Sequence, residues 1–261
     1  MIEASTDTTQ HGFDFTAFMR EELEDEVLVK LPMALGIDFS ITKDVLMMLI
    51  AALILIVMGY LAARRRELVP RGLQNLVEIF VEGLRKDVFE PFLGEDARRF
   101  TPFLLTMFFF ILVNNLLGVV PGAAKATANI SVTATLAGIT FMVVQISGIR
   151  QHGLVGYLRH LAPPGLPVLL LPIMIPVELL GMFTKPFALA IRLFANMTAG
   201  HIVIAAFIGL IFLSKSWLVA PLSVLGAVGV NLLEILIAVI QAYIFTLLST
   251  VFIAMAIRGG H

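Results

Sequence analysis

Residues 167–212 read PVLLLPIMIPVELLGMFTKPFALAIRLFANMTAGHIVIAAFIGLIF, and this run decides the fold. It carries four ionisable residues, Glu178, Lys185, Arg192 and His201, and no polar loop. As one helix it would measure roughly 70 Å, more than twice the ~30 Å hydrocarbon core of a bilayer. Either it is two helices with almost no loop, or it is one long helix lying strongly inclined. Pro172, Pro176 and Pro186 permit bends. An Arg at the centre of such a helix costs ~3 kcal/mol on insertion scales and cannot escape by deprotonating. A charge kept at that cost points to an ion or proton pathway, with a buried Arg–carboxylate packing pair as the plainer alternative.

Working outward, the whole chain has the composition of an integral membrane protein. Of 261 residues, 59% are hydrophobic and 14% charged, against ~25% charged in a soluble domain. The absence of cysteine excludes disulfides and thiolate metal sites, and a net charge of -1 gives no sign of nucleic-acid binding. After Asp96 only Glu178 and Glu234 remain as acids, both in apolar surroundings. The N-terminal region has neither a basic-then-apolar signal pattern nor an Arg-rich transit pattern; it is acidic, with EELEDE at Glu21–Glu26.

The expected fold class is an all-α integral membrane protein with about five membrane helices and an amphipathic surface helix. Residues 1–40 are read as an extramembrane arm and 41–261 as the membrane domain. Expected spans are 45–63, 101–120, 129–149, 167–213 and 218–257. The run Arg64–Arg66 anchors the first span on the cytoplasmic side, which puts the acidic arm outside and the C-terminus in the cytoplasm. Arg150, His152 and Arg159 agree with that orientation. Within 70–92, Leu73, Leu76, Val77, Phe80, Leu84 and Val88 recur at helical spacing between charges, as expected of a helix on the membrane surface or packed on a partner. Pro163–Pro167 breaks the chain, and Lys215 with Trp217 marks an interfacial turn. The last two spans are both overlong for ordinary tilts of up to ~40°, so they form a flat or kinked hairpin.

Polar residues on that hairpin fall into two facing rows. Glu178, Lys185 and Arg192 are spaced by seven, Asn196 follows Arg192 at i+4, and His201 lies roughly 13 Å further along the axis. In the next helix Asn231, Glu234, Ala238, Gln241 and Phe245 share one face at spacings of three and four. Antiparallel packing sets Glu234 level with His201 and Gln241 closer to Arg192. A His–carboxylate pair can hold and pass a proton near neutral pH, and amides can order water without taking charge. Buried ion pairing and interhelical hydrogen bonds are the packing alternatives. Gly181, Ala188, Ala195, Ala199, Gly226 and Gly229 fit close helix contacts and, for any one of them, a lipid-facing position equally well. No P-loop, HExxH or nucleophile elbow is present, so no catalytic site, cofactor or metal is expected.

KPFALAIRLFANMTAGH at Lys185–His201 resembles subunit a of the F-type ATP synthases, which carries an essential Arg, then Leu-Phe, then Asn four residues after the Arg. LLEILIAVIQAYIFTLLS, with Gln241, is similar to the family's last helix, and VNNLLGVVPG and ATANISVT extend the resemblance. Some bacterial members have an acid in the place of His201 and a His in the place of Glu234, an exchange that keeps the chemistry of the pair. The resemblance implies a non-catalytic stator with two aqueous half-channels beside a ring of c subunits, the b/b′ peripheral stalk and the rest of the complex, in a bacterial plasma membrane. It implies that Arg192 faces the ring carboxylates, that Asn196 and Gln241 are its polar neighbours, and that Lys185 belongs to the proton pathway. His201, Glu234, Asn114 and Asn115 would line the outer half-channel, and Glu178 the cytoplasmic one. Two other classes share some of these features. A proton-coupled secondary transporter would show internal repeats, which are not seen; a docking subunit would tolerate Arg192→Lys.

Overall fold

A computed structural model describes residues 27–29, 40–64, 72–120, 123–160, 171–214 and 219–258. The acidic run 21–26, most of the arm, Arg65–Arg66, Pro121–Gly122, Pro163–Pro167 and Lys215–Trp217 lie outside the described residues. Two short strands, β1 (Val27–Val29) and β2 (Ile41–Thr42), pair antiparallel just before the first long helix. The rest is helical: α1 (Lys43–Arg64), α2 (Leu73–Leu84), α3 (Glu90–Leu93), α4 (Ala97–Gly118), α5 (Ile130–His160), α6 (Leu171–Ser214) and α7 (Val219–Arg258). Among the described residues, five helical stretches are long and apolar enough to cross a membrane.

The amphipathic segment does not stand alone. α2 passes through a π-helical turn at Arg85–Phe89, the short α3 and a 3-10 turn at Gly94–Asp96 directly into α4. The wider π turn lets the adjacent Val88 and Phe89 both point inward beside Leu84. Phe80 packs on Phe108 and Phe109, with ring centroids 5.7 and 6.5 Å apart. Leu76, expected on the apolar face, is exposed, as is Ile79. The outer face carries the Lys86–Glu82 and Arg85–Glu90 ion pairs. Gly94 turns the chain with φ 59 and ψ -124, a conformation open to glycine and strained for other residues.

α5 continues past residue 149 to His160, with a non-helical break at Gly153 (φ 71, ψ 165). Beyond the break the chain folds back. The Tyr157 hydroxyl donates to Gln145 Oε1 at 2.6 Å, and its ring covers Gly148, where a side chain would clash. Arg150 and His152 therefore lie inside the helix, before its break.

α6 runs unbroken from Leu171 to Ser214 with Pro176 and Pro186 inside it, and α7 from Val219 to Arg258. At 1.5 Å per residue they measure roughly 65 and 60 Å. Each is far longer than a perpendicular span needs, which settles the alternatives in favour of single long helices. Buried side chains of α4, α6 and α7, including Leu104, Phe108, Ile111, Leu189, Leu193, Phe245 and Ile253, join Val88 and Phe89 in one core. Outward-facing Leu, Ile, Val and Phe cover the rest of α1, α6 and α7, a surface suited to lipid rather than water.

Candidate functional site

The buried stripe of α6 is Leu189, Ala190, Leu193 and Met197, at the three-and-four spacing that keeps one face inward. Arg192 falls beside that stripe and is exposed. Ala188, Ala195 and Ala199 are exposed on the same side, so this face is small except for the guanidinium. Among the described residues Arg192 has no ion pair and no hydrogen bond; it pairs with neither Glu178 nor Glu234. The packing alternative, a buried Arg held by a carboxylate, does not describe it.

Asn196, one turn beyond Arg192, is half-buried. Its Nδ2 donates to Gln241 Oε1 at 2.8 Å, a bond that ties α6 to α7 beside the charge. On α7 the inward face is Glu234, Ala238, Gln241, Ala242 and Phe245, with Asn231 half-buried at its start. The expected row is thus a real face. From α4, Asn115 Nδ2 reaches the Ala238 carbonyl at 3.4 Å, whereas Asn114 Nδ2 bonds back to Phe110 in its own helix at 2.8 Å. Both asparagines are buried.

Glu234 has a partner that periodicity does not reveal. Lys125 Nζ lies 3.2 Å from Glu234 Oε1, with the two side chains 9% and 3% exposed. Lys125 was visible only as the single charge between the second and third spans. The link carrying it is tied to α1, because Asn129 Nδ2 donates to Asp44 Oδ2 at 2.9 Å and Asp44 is buried. In sequence Asp44 looks like an ordinary helix-start acid, and nothing in its spacing marks it. His201 follows Gly200, and the Glu234 carboxylate occupies the space that a side chain at Gly200 would fill. At the other end of α6, Glu178 and Lys185 are half-buried, and Lys185 Nζ sits 5.8 Å from the centre of the Phe252 ring.

Polar groups therefore cluster on either side of Arg192 along α6. Five buried polar atoms have no partner among the described residues: Asn114 Oδ1, Asn115 Oδ1, Thr127 Oγ1, Thr198 Oγ1 and Gln241 Nε2. Each would cost ~1–3 kcal/mol if left dry, so they mark positions that suit water. They come from α4, the link, α6 and α7, the same elements that hold Lys125 and Glu234.

Comparison with known proteins identifies the family. Residues 45–254 match the model of the family described as ATP synthase A chain. The chain is 50% identical over 254 residues to ATP synthase subunit a of Chloroherpeton thalassium, covering 95% of this chain and 74% of that one. It is 50% identical over 236 residues to the protein of that name from an Anaeromyxobacter species, covering 88% and 58%. A third, from Pelodictyon phaeoclathratiforme, is 44% identical over 258 residues, covering 96% and 76%. With five apolar helices, two of them overlong, and a family match over most of its length, this chain belongs to the ATP synthase A chain family, the proton-translocating, non-catalytic subunit of the synthase's membrane sector.

Proposed function

We propose that Arg192 is the charge that couples proton movement to rotation, and that it does so by facing the carboxylates of a turning c-subunit ring. The observation that carries this reading is its combination of exposure and isolation. A guanidinium on an apolar, small-residue face, with no ion pair or hydrogen bond among the described residues, is open to a partner from outside. Exposed Ala188, Ala195 and Ala199 let another helix approach closely beside it. A carboxylate brought to Arg192 is favoured in its charged form, so it releases its proton there; a free proton is repelled, so the two sides do not short-circuit.

His201, Glu234, Asn114 and Asn115 line the outer half-channel in this reading, and Glu178 belongs to the cytoplasmic one. Asn196 and Gln241 shape the polar surroundings of Arg192, and Lys185 belongs to the proton pathway. The N-terminus lies outside and the C-terminus in the cytoplasm of a bacterial plasma membrane, with the b/b′ stalk holding the subunit against the ring. One proton crossing 100 mV yields ~2.3 kcal/mol, so several must be geared together for each phosphoanhydride bond.

The test is ATP-driven acidification of inverted membrane vesicles carrying the whole complex, wild type against Arg192→Ala. Loss of pumping with the complex intact is expected. Undiminished pumping overturns the assignment.

A further inference from the structure

Lys125 Nζ lies 3.2 and 3.5 Å from the two oxygens of Glu234, so one ammonium spans the carboxylate. The pair fits because two glycines, one on α4 and one on α6, leave room for it. A side chain on Gly118 would press on Lys125 Cγ and Met197 Cε at 3.2 Å, and one on Gly200 would overlap the carboxylate itself. The root of Lys125 is fixed. Its carbonyl accepts the Ala128 N–H at 2.8 Å, and Asn129 is held by Asp44 and by the Ser131 N–H at 3.0 Å. The four-carbon stem and its rotatable donors are the movable part.

A buried pair of this kind is weak evidence for a role in stability. Desolvating two charges costs as much as their attraction returns, and apolar residues of similar volume would hold the helices about as well. Building on the proton-path reading above, we infer that Lys125 is a tethered counter-ion that gates proton entry at Glu234. A proton arriving through water binds a Glu234 oxygen; the carboxylate becomes neutral, and the ammonium swings off on its stem. When the acid passes that proton to water on the Arg192 side, the anion re-forms and Lys125 returns. One proton enters, one leaves, and Lys125 keeps its own throughout. The other titratable groups around this step are His201, next to Gly200, and Asp44, which holds the link through Asn129.

The experiment measures ATP-driven pumping per assembled complex in inverted vesicles for Lys125→Met, Lys125→Arg, Glu234→Gln and the double variant Lys125→Met/Glu234→Gln, with Arg192→Ala alongside. Lys125→Met keeps the stem and removes the charge; its pumping should fall about tenfold, within the range of coupled neighbours, while Lys125→Arg should keep most of it. The double variant should pump no worse than Glu234→Gln alone, because Lys125 acts only through that carboxylate. Wild-type pumping in Lys125→Met, or independent losses that multiply in the double variant, overturns the gate. If Lys125→Met does not assemble because it strands a buried carboxylate, the double variant and Lys125→Arg decide: failure of the arginine to pump, or multiplied loss in the double, counts against it. Normal pumping in Arg192→Ala would remove the underlying reading whatever Lys125 does; a dead Arg192→Ala beside a normal Lys125→Met removes only the gate.

Discussion

Gly200 and Glu234 interlock: the carboxylate of one helix lies where a β-carbon of the other would be. Gly200→Ala must therefore displace the Glu234 carboxylate from its slot. Overpacking a site of this kind costs ~1–3 kcal/mol. Gly226 offers a matched control, since a β-carbon there would meet the Phe207 ring at 2.6 Å, away from Glu234. Both alanine variants should lower the inactivation temperature of the purified complex. Only Gly200→Ala should also lower pumping per assembled complex; equal pumping in the two would separate the slot from proton transfer.

Among the described residues Arg192 has no ion pair and no hydrogen bond, so its loss should leave packing almost unchanged. Arg192→Ala is expected to shift stability by less than ~0.5 kcal/mol, as for ordinary surface changes, while pumping disappears. Arg192→Lys should not restore it, because a compact ammonium does not reproduce a planar fork. Thermal inactivation curves and vesicle acidification on the same preparations check both halves.

The Asn196–Gln241 bond crosses the hairpin one turn from Arg192. Interhelical hydrogen bonds in membranes carry about 0.6 kcal/mol on average and at most ~2. A cycle of Asn196→Ala, Gln241→Ala and the double variant should give a coupling of that size in thermal stability. A coupling near zero would mean that each amide works through water instead.

At Gly94 the positive φ allows the turn from α3 into α4. Gly94→Ala should destabilise the complex by about 1–3 kcal/mol through backbone strain. Lower yield of assembled complex, with normal pumping per complex, is the expected result.

Much of the hairpin was readable from spacing alone. The inward face of α7 at Glu234, Ala238, Gln241 and Phe245 follows from a three-and-four rhythm, and so does the placement of Asn196 beside Arg192. What spacing misses is contact between distant parts of the chain. Lys125 and Glu234 are 109 residues apart, and Lys125 sits in a link with no periodicity to place it. Small residues left two readings open for the same reason. Gly226 does receive a neighbouring ring, but Gly181 and Gly229 face open space, while Gly118 and Gly200, not singled out, hold the ion pair. A glycine in sequence states that room exists; only the fold says what fills it. α5 ran past its expected end because Gly153 reverses the chain after the charges at 150 and 152 rather than before them.

The last turn of α7 is gripped from two directions. His152 Nε2 meets the Ile257 carbonyl at 2.7 Å, and the Arg258 guanidinium lies over Gly94, 3.6 Å from where a side chain there would begin. In mechanical terms the hairpin is a beam clamped at one end. A neighbour pushing sideways on the Arg192 face would load that beam in bending, and the clamp would pass the reaction force into α5 and the α3–α4 corner. If a ring turns past Arg192 as proposed, that clamp is what would resist its sideways load.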